Sequence, residues 1–141
     1  MATNKVTTHW KKNMQFESDN PSGHTLTMYD ASADNGNLKG FGPKALMLSS
    51  LAGCSGLDVD SLLTKMRAEI DDFNIVVTGV LTEEHPKFYH KVTVDYHFYG
   101  TSLDEKKITK AVNLSIDKYC GVMEMFRQFA TITTAIHLHD N

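Results

Sequence analysis

Residues 42 to 67 read GPKALMLSSLAGCSGLDVDSLLTKMR and contain the longest apolar-rich run of this chain. Pro43 suits the first turn of a helix, where its missing N–H costs nothing. We therefore predict a helix from Pro43 to about Arg67. A helix with apolar residues almost all round is buried on most sides. The apolar positions in this stretch are Leu46, Met47, Leu48, Leu51, Ala52, Leu57, Val59, Leu62 and Leu63.

Small residues interrupt the middle of this helix at Ala52-Gly53-Cys54-Ser55-Gly56. Each glycine costs about 1 kcal/mol of helix stability relative to alanine, but small residues let another backbone approach closely. A single domain of this size seldom wraps so long a helix completely. The sequence therefore predicts that two copies of the chain pair around this helix.

The residues before the helix are expected to form β structure. Thr7 to Phe16 is predicted to be one strand. Pro21-Ser22-Gly23-His24 is a turn signal, and Thr25 to Tyr29 alternates with period two, as the return strand of a hairpin does. Asp30 to Gly40 is rich in small polar residues and is predicted to be an exposed loop.

The residues after the helix predict two strands, two helices and a last strand. Phe73 to Leu81 and Phe88 to Tyr99 alternate with period two. Ser102-Leu103-Asp104-Glu105 is a capping box that starts a helix. Val122 to Phe126 is predicted as a short helix, and Ala130 to Leu138 is a β-branched run typical of a strand. The whole chain, 1–141, is thus predicted to be a single α+β domain.

Charge and composition exclude several classes of protein. The net charge of −3 and the lack of any Lys/Arg run longer than two argue against nucleic acid as a partner. Met1 to Trp10 has no apolar segment of a signal peptide, and Ala45 to Leu57 is shorter than the about 20 residues that a membrane span needs. We expect a cytoplasmic protein, where the two cysteines are more often free or redox-active than structural.

Cys54 and Cys120 are the candidates for chemistry, although each also has a plain structural interpretation. Free cysteine is among the most buried residue types, so Cys54 within a buried helix can be an inert core residue. Asp58, one turn later, would disfavour a thiolate there. Cys120 precedes Gly121 at a helix junction, where exposed N–H groups would favour a thiolate if a helix starts there. The spacing of the two residues does not show that they meet.

Histidines suggest a weaker alternative. His137 and His139 are two apart on the last predicted strand, so they share a face. A metal site needs further ligands, and the spacing places none, so we expect no metal and no cofactor. A metal-dependent hydrolase that uses this pair is a distant hypothesis.

Two longer motifs carry a resemblance to a known family. Residues 42–54, GPKALMLSSLAGC, resemble the first cysteine motif of the OsmC/Ohr family, and residues 115–122, SIDKYCGV, resemble its second. The Lys-Tyr-Cys form is most similar to the uncharacterised YhfA-like branch. The resemblance implies an OsmC/Ohr-like fold, an intertwined homodimer in which two central helices are covered by curved antiparallel sheets.

The resemblance also implies an activity. Cys54 would attack an organic hydroperoxide and become a sulfenic acid, Cys120 would resolve it as a disulfide, and a dithiol reductant would restore both thiols. The alternative on the same scaffold is a non-catalytic binder of a small apolar molecule, or a redox sensor, with some of the seven Met, seven Phe and five Tyr lining a pocket.

One departure from the family pattern bears on reactivity. The best-understood members use an Arg from the N-terminal strands and a Glu ten residues before the first cysteine; here Lys44 holds the Glu position and no Arg precedes Arg67. Cys54 then lacks the usual cation and is expected to be mostly thiol at neutral pH. His24 and Lys44 are the candidate substitutes that would support the thiolate.

Overall fold

The computed structural model describes residues 2–30 and 40–141. Within these ranges the chain forms two compact units, residues 1–47 and 48–141, and α1 begins in the first and continues in the second. Most of the predicted loop from Asp30 to Gly40 lies outside the described residues. The elements are β1 (Thr7–Trp10), β2 (Gln15–Asp19), β3 (Thr25–Tyr29), α1 (Pro43–Lys65), β4 (Asp72–Leu81), β5 (Tyr89–Gly100), α2 (Glu105–Leu114), a π turn (Ser115–Tyr119), α3 (Gly121–Arg127) and β6 (Thr131–Asp140).

The first unit holds an antiparallel sheet in the order β1-β2-β3. The predicted hairpin between Asp19 and Thr25 is confirmed, and Gly23 takes the positive φ of 85° that its turn requires. The single strand predicted over Thr7 to Phe16 is wrong. Residues 12 to 14 all have positive φ, which no strand tolerates, and they fold the segment into a second hairpin.

The second unit holds a sheet in the order β4-β5-β6. The strands β4 and β5 are antiparallel neighbours, as their short connection predicts. β6 pairs with β5 in the parallel sense, so this sheet is mixed rather than wholly antiparallel. The reason is the long connection: α2, the π turn and α3 lie between the two strands, and such a crossover returns the chain to the same end of the sheet. The α+β fold class is confirmed.

The core of the second unit lies between α1, the buried face of β5 and the helices that follow β5. α1 presents a buried stripe at every fourth residue, the spacing that keeps side chains on one face of a helix. β5 presents alternate residues to the same core, as its period-two pattern predicts. The fully buried side chains of these two elements include Leu51, Ser55, Val59, Val92, Val94, Tyr96 and Phe98.

The helix boundaries after β5 differ slightly from the prediction. α2 is capped by Asp104, whose side chain accepts a hydrogen bond from the Lys107 N–H at 3.1 Å. The predicted cap, Ser102, has a φ of 56° and lies two residues before the N-cap position. The second helix predicted at Val122 to Phe126 is α3, and the end of α2 widens into the π turn before it begins.

The part of α1 in the second unit has one buried face and one open face. Leu57 is 74% exposed, and a Cβ at Gly53 would meet none of the described residues apart from its own stretch of helix. α1 is long and apolar enough to cross a membrane by length and composition alone, a test that core helices also pass. In a single copy of the chain, this part of α1 is not buried on most sides. The prediction of such burial therefore depends on a second copy that covers the open face.

Candidate functional site

Two cysteines meet at one edge of the core of the second unit. Cys54 lies on α1, next to the buried stripe, and is partly buried against the core. Cys120 follows the π turn and is only 4% exposed. The Cys120 N–H donates to the Ser115 carbonyl at 2.9 Å, the wide hydrogen bond that closes the π turn. Cys120 follows the extra residue of this turn and lies in the chain between α2 and α3. Such π segments are frequent at functional sites.

Asp58 completes a compact cluster with the two thiols. One carboxylate oxygen of Asp58 and the sulfur atoms of Cys54 and Cys120 all lie within 4.8 Å of one another. Both cysteines are free. A disulfide needs the sulfurs to approach from this separation to about 2.05 Å. Tertiary packing has thus joined residues that are 66 positions apart in the sequence.

The environment of Cys120 favours the thiol over the thiolate. Burial raises the pKa of the Cys120 thiol from 9.0 to about 11, the N–H of Met123 lowers it, and Cys54 and Asp58 add to the increase. Cys120 is the N-cap of α3, and its sulfur accepts from the Met123 N–H at 3.3 Å. The helix start favours the thiolate as predicted, through the Met123 N–H, but desolvation, Cys54 and Asp58 together outweigh this one hydrogen bond.

A buried row of hydroxyls runs from β5 to Asp58. Ser55 Oγ lies 2.6 Å from Tyr96 Oη and 2.8 Å from Ser115 Oγ. The Ser115 hydroxyl donates to Asp58 Oδ2 at 3.0 Å. All three hydroxyl-bearing residues are fully buried. Burial raises the pKa of Tyr96, its hydrogen bond with Ser55 lowers it, and negative charge on Cys120 and Asp58 raises it further.

The direction of this hydrogen-bond row follows from counting protons. Ser115 donates its single hydrogen to Asp58 Oδ2, so it has none left for Ser55. Ser55 must then donate to Ser115, and Tyr96 must donate to Ser55. The longer contact of 3.4 Å from Ser115 Oγ to the Ser55 carbonyl is the weaker competitor for that hydrogen. We call Tyr96, Ser55 and Ser115, in this order toward Asp58, the hydroxyl relay.

Sequence patterns did not predict the hydroxyl relay. In the sequence, Ser55 is one small residue among several and Tyr96 is a predicted core aromatic residue. Ser115 is a polar residue near the end of a predicted helix. A signal does exist at Ser55, because it falls on the i, i+4 stripe that Leu51 and Val59 continue with apolar side chains. A buried polar residue in such a stripe needs a hydrogen-bond partner.

The two residues expected to support the thiolate lie in the first unit. His24 is exposed in the turn before β3, with its Nδ1 2.8 Å from Ser22 Oγ. Lys44 is exposed in the first turn of α1. The support of Cys54 by His24 or Lys44 stays a prediction.

The histidine pair of β6 has partners on β5. His137 Nε2 lies 2.8 Å from Asp95 Oδ1, and His139 Nε2 lies 3.0 Å from His97 Nδ1. The rings of His97 and His137 stack, with centroids 4.5 Å apart. Among the described residues, Cys54, Asp58 and Cys120 form the single group whose ligand atoms converge closely enough for a metal ion. The hydrolase hypothesis thus gains no converging ligand set, while the absence of metal and cofactor stays a prediction.

A mixed α+β unit with two close free thiols defines the class of this protein, and comparison with known proteins gives the family. Residues 34–135 match the family model described as OsmC-like protein. The chain is 31% identical to protein YhfA of Escherichia coli K12 over 124 residues, which is 88% of this chain and 90% of that protein. The chain belongs to the OsmC-like family, as its two cysteine motifs predict.

Solved structures agree with this assignment. A crystal structure of a hypothetical protein from Aquifex aeolicus VF5 matches with a TM-score of 0.87 and 30% identity, covering 100% of this chain and 99% of the other. The organic hydroperoxide resistance protein OhrB of Bacillus subtilis matches with a TM-score of 0.64 and 19% identity, over 97% and 98% of the two chains. The second likeness is one of fold alone.

Proposed function

We propose that this protein is a thiol peroxidase that reduces organic hydroperoxides with Cys54 and Cys120. The observation that carries the proposal is the separation of at most 4.8 Å between two free sulfurs from distant parts of the chain. A structural core has no need to bring two thiols together. The name of the hydroperoxide resistance protein that shares the fold supports the substrate class.

The burial of the two thiols supports a division of roles. Cys54 is partly exposed, whereas Cys120 is buried, so an outside molecule reaches Cys54 first. Cys54 Sγ attacks one oxygen of the hydroperoxide, an S–O bond forms, the O–O bond breaks, and an alcohol leaves. Cys120 Sγ then attacks the sulfenic sulfur, which forms the disulfide and releases water. A dithiol reductant takes up the two oxidising equivalents by thiol–disulfide exchange.

The open face of α1 supports a homodimer. Ala52, Gly53, Gly56 and Leu57 line a groove of about 450 Å³ together with Phe73 and Ile75 of β4 and the polar side chains of Asp60 and Asn74. Exposed apolar surface of this kind is typical of an interface between subunits. The proposal includes a second copy of the chain on this groove and places the protein in the cytoplasm, where free thiol pairs persist.

The test is quantitative thiol labelling before and after exposure to cumene hydroperoxide, with peptide mapping of any disulfide. We expect two free thiols before and a Cys54–Cys120 disulfide after, with turnover when dithiothreitol is added. Cys120→Ser is the matched variant, and it should stop at a Cys54 sulfenic acid that dimedone traps. Cys54→Ser should consume no hydroperoxide. A wild-type protein that keeps both thiols and consumes no hydroperoxide with any dithiol contradicts the proposal.

A second candidate function, binding of a small apolar molecule, rests on a different observation. The first unit contains a pocket of about 410 Å³ with an almost wholly apolar lining, which includes Met14, Phe16 and Met28. Ligand sites are concave and mostly apolar with few polar groups. Native mass spectrometry of protein purified under mild conditions should then show a bound molecule, and Phe16→Lys should abolish it. If wild type and Phe16→Lys both show only the mass of the protein without a ligand, binding is contradicted.

A further inference from the structure

Asp58 stands between the two sulfurs and solvent. Its carboxylate lies within 4.8 Å of both Cys54 Sγ and Cys120 Sγ. It also lines a polar pocket of about 170 Å³ together with Ser61, Leu62, Lys65 and Tyr119. The separation from each sulfur is short enough for one water molecule to bridge, and the pocket on the other side of Asp58 is large enough to admit solvent to the carboxyl group. Asp58 can therefore exchange protons with the thiols on one side and with bulk solvent on the other.

Both steps of the proposed reaction need a proton acceptor near the sulfurs. The raised pKa of Cys120 keeps it protonated at neutral pH, and a thiol is a poor nucleophile until the proton leaves. The titratable groups that face Asp58 are Cys54 on α1, Cys120 before α3, Tyr96 of β5 through the relay, and Lys65 and Tyr119 across the pocket. Of these, Asp58 is the group that offers a carboxylate oxygen within 4.8 Å of both sulfurs.

We propose that Asp58 is the proton acceptor and donor for Cys54 and Cys120, oriented by the hydroxyl relay. This inference rests on the proposed thiol-redox function. When Cys54 attacks the hydroperoxide, its proton passes to Asp58 and then to the departing alkoxide, which leaves as the alcohol. When Cys120 attacks the sulfenic sulfur, its proton passes to Asp58 and then to the departing hydroxide, which leaves as water. Asp58 thereby performs the deprotonation that the missing N-terminal Arg would otherwise favour.

The relay orients Asp58. Ser115 donates to Oδ2 and fixes the position of the carboxyl group beside the two sulfurs. Once Asp58 is protonated, its own O–H can donate to Ser115 Oγ, because a hydroxyl oxygen both donates and accepts.

Charge repulsion and proton transfer predict opposite results for Asp58→Asn. The negative charge of Asp58 helps to raise the pKa of Cys120. If Asp58 acts through its charge alone, the loss of that charge makes Cys120 a better nucleophile. Closure, by which we mean formation of the Cys54–Cys120 disulfide, then becomes faster. If Asp58 accepts the proton, removing it makes closure slower. The sign of the change decides between the two roles.

The experiment measures closure without any hydroperoxide. Reaction of reduced protein with Ellman's reagent gives a mixed disulfide on Cys54, and attack by Cys120 releases a second thionitrobenzoate that is followed by absorbance. Asp58→Asn should slow this release at neutral pH by about a hundredfold, the low end of what a positioned acid–base group contributes. Glu69→Gln, an exposed change of the same charge shortly after α1, should leave the rate unchanged. Release from Asp58→Asn that is as fast as wild type, or faster, overturns the proposal.

Two further measurements cover a variant that does not fold. The wild-type rate should rise less than tenfold per pH unit around neutrality, because Asp58 replaces hydroxide as the base; a full tenfold rise per unit overturns the proposal. Ser115→Ala keeps Asp58 and both sulfurs and should slow closure several-fold, whereas an unchanged rate removes the relay from the proposal. A protein that closes normally yet consumes no hydroperoxide would contradict the peroxidase function and leave the role of Asp58 supported.

Discussion

The Ser115 hydroxyl donates to the Asp58 carboxylate at 3.0 Å and links the end of α2 to α1 across 57 residues of sequence. Ser55 lies 2.8 Å from the same hydroxyl and 2.6 Å from Tyr96, so one buried row of hydrogen bonds ties α1, α2 and β5 together. Among the described residues, no buried side-chain polar atom lacks a partner. The polar groups inside this core are satisfied by one another.

Ser55→Ala should destabilise the protein more than Tyr96→Phe. Removing the Ser55 hydroxyl leaves both the Tyr96 and the Ser115 hydroxyls short of a buried partner, at a cost of about 2–3 kcal/mol. Removing the Tyr96 hydroxyl leaves Ser55 with Ser115 and should cost about 1 kcal/mol. Urea unfolding of the two variants measures the difference. A greater loss of stability in Tyr96→Phe would contradict the order of the relay.

Stability should fall at alkaline pH because of Cys120. Below pH 9.0 the thiol is protonated in both the folded and the unfolded protein, so its stabilising contribution is fully present. Between pH 9.0 and about 11 the unfolded chain loses the proton first, and this favours unfolding. The total loss is on the order of 2 kcal/mol. The check is urea unfolding of wild type and Cys120→Ser at about pH 8 and at about pH 11.

Both proteins contain Tyr96, but negative charge on Cys120 adds to the raised pKa of Tyr96, so Cys120→Ser also reduces the alkaline loss that Tyr96 contributes. Cys120→Ser should lose less free energy of unfolding than wild type over the interval. Equal losses would mean that the Cys120 thiol titrates alike in the folded and unfolded protein.

Asp104→Ala should lower stability, whereas Ser102→Ala should not. Asp104 is the N-cap of α2 and satisfies the Lys107 N–H, and losing such a cap costs about 1 kcal/mol. Ser102, the residue that the sequence motif favours, lies outside the cap position and should change stability by no more than about 0.5 kcal/mol. Thermal unfolding of the two variants measures this. A larger effect at Ser102 would restore the capping-box prediction.

Leu57→Lys should break the proposed homodimer without unfolding the chain. Leu57 is 74% exposed, so a lysine there costs little within one chain, but in the groove between copies it places an unpaired charge on an apolar contact. Sedimentation or light scattering should give a monomer for this variant. Val80→Lys, an exposed valine on β4, is the matched control and should leave the mass of the assembly unchanged. Identical masses for wild type and Leu57→Lys would exclude this face as the interface.

Local patterns in the sequence determined the elements and the family. Each of these patterns depends on one face of a single element: the apolar run of α1, the alternation of β4 and β5, and the β-branched run of β6. The predicted bounds of these elements lie within about two residues of the observed ones. The two cysteine motifs predicted the OsmC-like family. Where local patterns mislead, the cause is also local: positive φ at residues 12 to 14 splits the first predicted strand, although its side chains suit a strand.

Tertiary structure alone decided the site. The convergence of Cys54, Asp58 and Cys120 within 4.8 Å, and the parallel pairing of β5 with β6, depend on how segments far apart in sequence pack together. Periodicity shows which side of a helix or strand faces the core. It does not show which residues of other elements contact that side. A serine that completes a buried hydrogen-bond row has the same appearance in a sequence as one on the surface. Its role exists only where Tyr96 and Ser115 come within 2.6 and 2.8 Å of it.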